Sequence, residues 1–194
     1  MRGAALGLKV GAALALGTAA DASSNVERFT LVQNSSEISA KVRFLGLASK
    51  TATFPSMRGT VSIDRSDTRD MRLSVTLDAR HLRASDTLTR DRLKGESFFW
   101  VDRHPLIEFR GSDLMMEDSR NGYLSGRITA RGVTRSVDLD VTFDRPIEAI
   151  NGTGPITIEA ETEIDRTDFG MDDYGGVVGR TVKIRIEALM QPEV

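Results

Sequence analysis

The chain has 194 residues, a formal net charge of −2 and no cysteine. This length suits a single domain with a substantial core. The absence of cysteine excludes disulfides, thiolate metal sites and cysteine nucleophiles. The near-neutral charge argues against a nucleic-acid binder, because such proteins usually carry a basic excess. The two histidines, His81 and His104, lie in different segments and do not form a metal site by themselves.

Residues 1–22 have the features of a secretory signal peptide. A basic start is followed by an apolar run from Val10 to Ala20, and Ala20-Asp21-Ala22 is an A-x-A cleavage pattern. The apolar run is too short for a spanning helix, and no later segment is apolar and long enough to be one. We therefore expect cleavage after Ala22, a periplasmic or secreted location, and a mature domain formed by residues 23–194. A disordered or anchoring N-terminus is the alternative interpretation.

Most of the remaining chain alternates apolar and polar residues with period two, which is typical of strands with one apolar face. This pattern predicts strands over Val26–Gln33, Glu37–Leu45, Lys50–Phe54, Met57–Asp64, Asp70–Asp78, Leu106–Arg110, Ile156–Ile164 and Arg180–Ala188. The longest alternation runs from Gly122 to Phe143 and predicts a hairpin with its turn at Gly132, where glycine tolerates a positive φ. A register shift is expected near Gly111, because Leu114 falls out of phase with Ile107.

One segment, Ala84–Trp100, breaks this alternation and predicts a short helix with Ser85 or Asp86 as its N-cap. It ends in Phe98, Phe99 and Trp100, the densest aromatic cluster in the chain. Aromatic residues beside a barrel-like sheet either cover one end of it or pack into its core. The sequence leaves both interpretations open.

About eight one-sided strands and one short helix predict an all-β fold, with a closed antiparallel barrel favoured over a two-sheet sandwich. Small residues fall at inward positions of the strands: Ala40, Gly59, Gly126, Ala130 and Ala160. They either leave room for a slender ligand or complement large neighbours across the barrel. No catalytic, phosphate-binding or dinucleotide-binding motif occurs. An enzyme is therefore the least favoured class, and no catalytic residue, metal site or cofactor is predicted.

Four segments resemble, in order, motifs of one family. They are Phe98-Phe99 with Pro105–Phe109, then GRITARGVTR over Gly126–Arg135, IDRTDFGM over Ile164–Met171, and VGRTV over Val178–Val182. Together these segments are similar to the YceI family, the secreted bacterial lipocalin-like proteins. The resemblance covers nearly all of the mature chain.

The resemblance implies an extended, lipocalin-like barrel that holds an isoprenoid lipid, either a polyprenyl chain or the tail of a quinone. It also implies a non-enzymatic role, a periplasmic or secreted location and often a homodimer. The residues expected to line the lumen are Phe44, Phe54, Val75, Leu77, Phe109, Ile128, Leu139, Phe143, Ile164, Phe169 and Met171. Phe98, Phe99 and Trp100 are expected to shape one mouth.

The alternative is a non-enzymatic interaction module of the cell envelope or a stress response, with a barrel filled by side chains. It predicts no cavity and an exposed apolar patch or sheet edge.

Overall fold

The structure, a computed structural model, describes residues 26–193, so the predicted signal peptide lies outside the described residues. These residues form eleven strands and one α-helix. The strands are β1 (Val26–Leu31), β2 (Glu37–Phe44), β3 (Ala48–Thr53), β4 (Met57–Asp64), β5 (Arg72–Asp78), β6 (Arg83–Ala84), β7 (Leu106–Met116), β8 (Asn121–Ala130), β9 (Val133–Phe143), β10 (Ile156–Asp165) and β11 (Val178–Pro192). The helix α1 (Thr87–Lys94) lies between β6 and β7.

The strands close into one antiparallel barrel of eight long strands. Three of the eight long strands are each interrupted once: β1 continues into β2, β3 into β4, and β5 into β6. The two segments of each strand pair with the two segments of the next, since β1 pairs with β4 and β2 with β3, while β4 pairs with β5 and β3 with β6. The barrel closes at β11, which pairs with β10 on one side and with both β1 and β2 on the other. The all-β barrel with a short helical insertion is thus confirmed, and the sandwich is excluded because the pairing is continuous.

The β8–β9 hairpin is the most regular part of the wall. Its pairing runs without a shift from Asn121↔Thr142 to Ala130↔Val133. The turn takes positive φ at both Arg131 and Gly132, 51° and 76°, which matches the twist of a tight two-residue hairpin. The predicted turn at Gly132 is confirmed. The expected register shift is also present in β7, between Ser112 and Leu114.

The two ends of the barrel differ in how completely they are packed. We call the end that contains Phe29, Ile63, Phe143 and Ile156 the packed end, because these inward side chains are almost fully buried. The connection between β9 and β10 also contributes two buried side chains, Ile147 and Ile150. Further along the same strands, toward what we call the open end, the inward side chains become only half-buried: Val137 on β9, Ile164 on β10, and Val182, Ile184 and Ile186 on β11.

The open end carries α1, the β2–β3 turn and the β10–β11 loop. Asp86 is the N-cap of α1 and accepts a hydrogen bond from the backbone N–H of Thr89 at 2.8 Å. The same carboxylate accepts a hydrogen bond from Lys50 Nζ on β3, also at 2.8 Å. The hydrogen bond from Lys50 holds the pKa of Asp86 well below its usual value, and those from Thr89 act in the same direction. Asp86 therefore both starts the helix and ties it to the barrel wall.

Candidate apolar ligand site

The barrel encloses a cavity of about 140 Å³, which we call the inner chamber. Most of its lining is aliphatic or aromatic and comes from inward positions of the strands. Small residues at Ala40, Ala130 and Ala160 contribute to this lining. Arg166 is its one ionisable lining residue within the part of the chain that the structure describes. The chamber therefore favours an apolar ligand over a polar one.

A second cavity of about 200 Å³, the outer chamber, lies at the open end. It is bounded by α1, by β2 and β3, and by the β10–β11 loop, with Phe44, Leu93, Phe98, Tyr174 and Val178 among its lining residues. Phe98 stacks on Tyr174 with a centroid distance of 5.8 Å and an interplanar angle of 5°. The outer chamber therefore combines apolar and aromatic lining residues with the charged side chains of Lys50, Asp86, Arg92 and Arg166.

The two chambers share part of their lining, which consists of Ala40, Phe99, Arg166, Met171 and Val182. Phe99 is held edge-on against Phe54, with ring centroids 5.8 Å apart. Met171 has an unbranched, adaptable side chain. The side chains of Phe99 and Met171 are therefore part of the partition between the two chambers.

Arg166 anchors the partition. Its side chain is 3% exposed. The guanidinium donates from Nε to the Gly179 carbonyl at 3.0 Å, from Nη2 to the Val178 carbonyl at 3.1 Å, and from Nη1 to the Met171 carbonyl. Burial lowers the pKa of Arg166, but an arginine remains charged in proteins. The planar fork therefore pins both ends of the β10–β11 loop to one another across the open end.

Sequence reasoning missed Arg166, because an alternating pattern treats arginine as a solvated residue. The signal that was available is its position in the segment Ile164–Met171, where the strand alternation ends. There the chain enters a short 3-10 helix, Arg166–Phe169, whose N-cap is Asp165. The Asp165 carboxylate accepts a hydrogen bond from the Thr167 N–H at 2.9 Å.

The small inward residues divide between the two interpretations that the sequence left open. A Cβ on Gly126 would lie 2.5 Å from the ring of Phe109, so this glycine complements a large neighbour. At Gly59 the space is also occupied, with Val75 3.2 Å from such a Cβ. By contrast, the three alanines named above face the inner chamber.

The residues predicted to bind the ligand are distributed over three places. Ten of them line the inner chamber: Phe54, Val75, Leu77, Phe99, Phe109, Ile128, Leu139, Ile164, Phe169 and Met171. Phe44 and Phe98 line the outer chamber, which Phe99 and Met171 also reach. Phe143 and Trp100 line neither chamber.

Those two residues have other neighbours. Phe143 belongs to the packed end and is 1% exposed. Trp100 lies against His104, with ring centroids 5.9 Å apart, and has the Arg103 guanidinium 4.9 Å from its ring centroid. Lining residues absent from the predicted set, such as Ile38, Leu124, Val141 and Ile158, occupy inward positions of strands and carry the same alternation signal.

Within residues 26–193, no helix is long and apolar enough to cross a membrane. No group of three or more histidine, aspartate or glutamate side chains in this range is placed to hold a metal ion.

The fold and the chambers define a closed antiparallel β-barrel with an apolar interior. The sequence pattern of the YceI-like domain matches residues 29–190. The chain therefore belongs to the YceI-like family, which confirms the resemblance noted in its motifs. No curated protein sequence matches it.

Solved structures share the fold at low sequence identity. BcnA of Burkholderia cenocepacia superposes with a TM-score of 0.72 at 19% identity, covering 82% of this chain and 98% of that one. A polyisoprenoid binding domain from Saccharophagus degradans, implicated in plant cell wall breakdown, gives 0.66 at 11% identity, with coverages of 85% and 98%. The Campylobacter jejuni YceI protein gives 0.62 at 18%, with coverages of 74% and 84%.

Proposed function

We propose that this protein is a periplasmic, non-enzymatic carrier that binds an isoprenoid lipid, a polyprenyl chain or the tail of a quinone, inside its barrel. The observation that carries the proposal is the inner chamber, with its apolar lining and its partition toward a second chamber at the open end. Membership of the YceI-like family and the structural similarity to a polyisoprenoid binding domain support the same ligand class.

The chemistry of an isoprenoid suits such an interior. Its tail has no hydrogen-bonding groups, so affinity has to come from the apolar area that it buries, at about 25 cal/mol per Å² before ordering costs. The inner chamber has no carboxylate or histidine in its lining, so it offers such a tail no acid–base partner. These features support binding rather than catalysis.

The chamber volumes constrain how a long tail would lie. An apolar cavity of about 150 Å³ holds a ligand the size of benzene, and the inner chamber has a similar volume of about 140 Å³. A chain of several isoprene units therefore needs both chambers in series. We expect Phe99 and Met171 to turn aside when such a ligand binds.

A periplasmic location is supported by the signal-peptide features of residues 1–22. A homodimer also stays a prediction, which light scattering of the purified protein would test.

The first experiment is to purify the mature chain, residues 23–194, from the periplasm and analyse an organic extract by mass spectrometry. A stoichiometric polyprenyl or quinone species is the expected result. An extract without such a species, together with no uptake of added isoprenoid, would contradict the proposal and favour the interaction module.

A matched pair of variants on β8 tests the lining. Ile128 faces the inner chamber, whereas its neighbour Thr129 faces outward and hydrogen-bonds to Thr134 at 2.8 Å. We expect Ile128→Gln to lose most of the bound lipid and Thr129→Gln to retain it, with circular dichroism verifying that both are folded. Equal lipid content in the two folded variants would contradict the assigned lining.

A further inference from the structure

Five of the eight large apolar side chains that are exposed in the described part of the chain lie together at the open end. We call this group the apolar rim; its members are Leu45, Leu47, Leu88, Tyr174 and Val177. Leu47 is 100% exposed, Leu45 63% and Leu88 61%. Clustered exposed apolar side chains of this kind usually mark an interaction site.

The rim surrounds the outer chamber. Leu88, Tyr174 and Val177 line that chamber. The Leu45 N–H donates to the Val177 carbonyl at 2.8 Å, which joins the β2–β3 turn to the β10–β11 loop. Leu47 follows two residues later, in the same turn. Any object seated on the rim therefore faces the mouth of the outer chamber directly.

The segments that carry the rim also carry an excess of positive charge. Over residues 41–51, 86–94 and 172–180 there are seven basic side chains and four acidic ones, although the whole chain has a formal charge of −2. Three of the seven, Lys50, Arg90 and Arg180, form ion pairs with Asp86, Asp91 and Asp165. One of the basic groups, the Arg92 guanidinium, lies 5.7 Å from the centroid of the Tyr174 ring. Protruding leucines flanked by lysine and arginine are the composition that binds an anionic membrane interface.

We propose that the apolar rim docks the open end of the barrel onto an anionic phospholipid bilayer. Leu45 and Leu47 enter the boundary between headgroups and acyl chains, and exposed basic side chains outside these ion pairs, such as Arg43 and Arg92, contact lipid phosphates. The choice of a bilayer as partner rests on the proposed function, because an isoprenoid is dissolved in membranes. A tail that passes from a docked bilayer into the outer chamber crosses no water, which removes the main barrier to its transfer.

The test measures binding of the full mature chain to sedimented vesicles. One set contains phosphatidylglycerol and phosphatidylethanolamine, and the other contains phosphatidylcholine alone. We expect binding to the anionic vesicles that weakens as salt is added. Leu47→Glu should lower the partition coefficient at least tenfold, and its complete exposure means that the substitution disturbs no packing.

Met115→Glu is the matched control, because Met115 is 51% exposed and lies on β7 near the packed end. It should bind vesicles like the unmodified protein. Absence of vesicle binding by the unmodified protein, or an equal loss in Met115→Glu and Leu47→Glu, would overturn the docking proposal.

A separate measurement keeps this proposal distinct from the carrier function. A fluorescent isoprenoid is supplied from cyclodextrin in the absence of vesicles, so that uptake depends on the chambers alone. Leu47→Glu should take it up normally. Loss of uptake there would show that Leu47 belongs to the cargo site and would overturn the docking role. If the unmodified protein binds vesicles through the rim but takes up no isoprenoid, the carrier function fails and the docking surface stands.

Discussion

The packed and open ends are built from the same strands, yet different interactions hold them together. At the packed end, inward side chains such as Phe29, Phe143 and Ile156 are almost completely buried and line neither chamber. At the open end, alanines and half-buried aliphatic side chains leave the two chambers. The comparison teaches that this barrel concentrates its apolar packing at one end and keeps space at the other.

Polar ties replace apolar packing at the open end. Arg166 joins three carbonyls of the β10–β11 region, Asp86 joins α1 to β3, and Arg131 Nη1 donates to the Gly170 carbonyl at 2.8 Å. Such ties hold loops in place without filling the space beneath them. The packed end should therefore control global stability, and the open end should control ligand exchange.

The largest expected loss of stability comes from a substitution at the packed end. Phe143→Ala should lower the free energy of unfolding by about 3–5 kcal/mol, because it removes a fully buried aromatic side chain and leaves a cavity. Phe99→Ala is the comparison at the open end and should cost less, because Phe99 is only half-buried, while it joins the chambers and admits longer isoprenoids. Urea unfolding followed by the fluorescence of Trp100, the single tryptophan, measures both. Equal losses would contradict the proposed division.

The second largest loss of stability is expected when the hydrogen bonds of Arg166 to the loop carbonyl groups are removed. Arg166→Met should cost about 2–4 kcal/mol, because it leaves buried carbonyl groups without donors. Arg166→Lys is the informative control: it keeps the charge but replaces the planar fork by a point charge, so we expect only partial recovery. Urea unfolding gives the stability, and proteolysis between residues 170 and 177 reports the loop. Full recovery by lysine would show that the charge matters rather than the fork.

A smaller effect is expected within the wall, at Gly126. An added Cβ would lie 2.5 Å from the Phe109 ring and 2.8 Å from the Arg110 carbonyl, so Gly126→Ala should cost about 1–3 kcal/mol by overpacking. In a Phe109→Leu background the same substitution should cost less, since the ring is gone. A double-mutant cycle measured by urea unfolding tests this coupling. Strict additivity would contradict the assigned contact.

The smallest expected effect is a pH dependence of the tie at Asp86. Its pKa is lowered in the folded protein from a usual value of 3.8, so the stabilisation is complete above that pH and is lost as the pH falls below it. Asp86→Asn keeps an N-cap but removes the ion pair with Lys50. The difference in urea midpoint between the two proteins should therefore be larger at pH 7 than at pH 3.

Other carboxylates titrate in the same acidic range, so the comparison has to be differential. Asp78, for example, has its pKa lowered to about 2 by the hydrogen bond from Arg80. Its contribution is common to both proteins and cancels in the difference. A difference that does not depend on pH would contradict the role assigned to the Asp86 charge.

Much of the wall followed from residue periodicity. The strand Met57–Asp64 has the predicted bounds, and the β8–β9 hairpin turns where Gly132 predicts it. The last strand is longer than the predicted Arg180–Ala188 and reaches Pro192. Leu189 and Pro192 disturb the alternation there, but pairing with β1 and β10 extends the strand. Backbone pairing across the barrel is a long-range property that a local pattern does not contain.

The candidate site was less accessible to sequence reasoning than the wall. Inward positions could be enumerated, but which of them face a chamber depends on neighbours on other strands, as Phe109 and Gly126 illustrate. Arg166 was missed because its partners are backbone carbonyl groups of a loop, and every residue type has such a group. Phe143 has the same alternation as Leu139, yet only Leu139 lines the inner chamber.

The seam of the barrel has a consequence for how the chain folds. Its first strand pairs with its last, and Thr30 hydrogen-bonds to Glu193, 163 residues away in sequence. This pairing has to wait until the C-terminal residues have been synthesised. Until then β1 and β10 each present an unpaired edge that can recruit other chains. Closure across so long a separation also makes folding slow. A nascent chain of this kind would benefit from a chaperone that shields strand edges until the barrel closes.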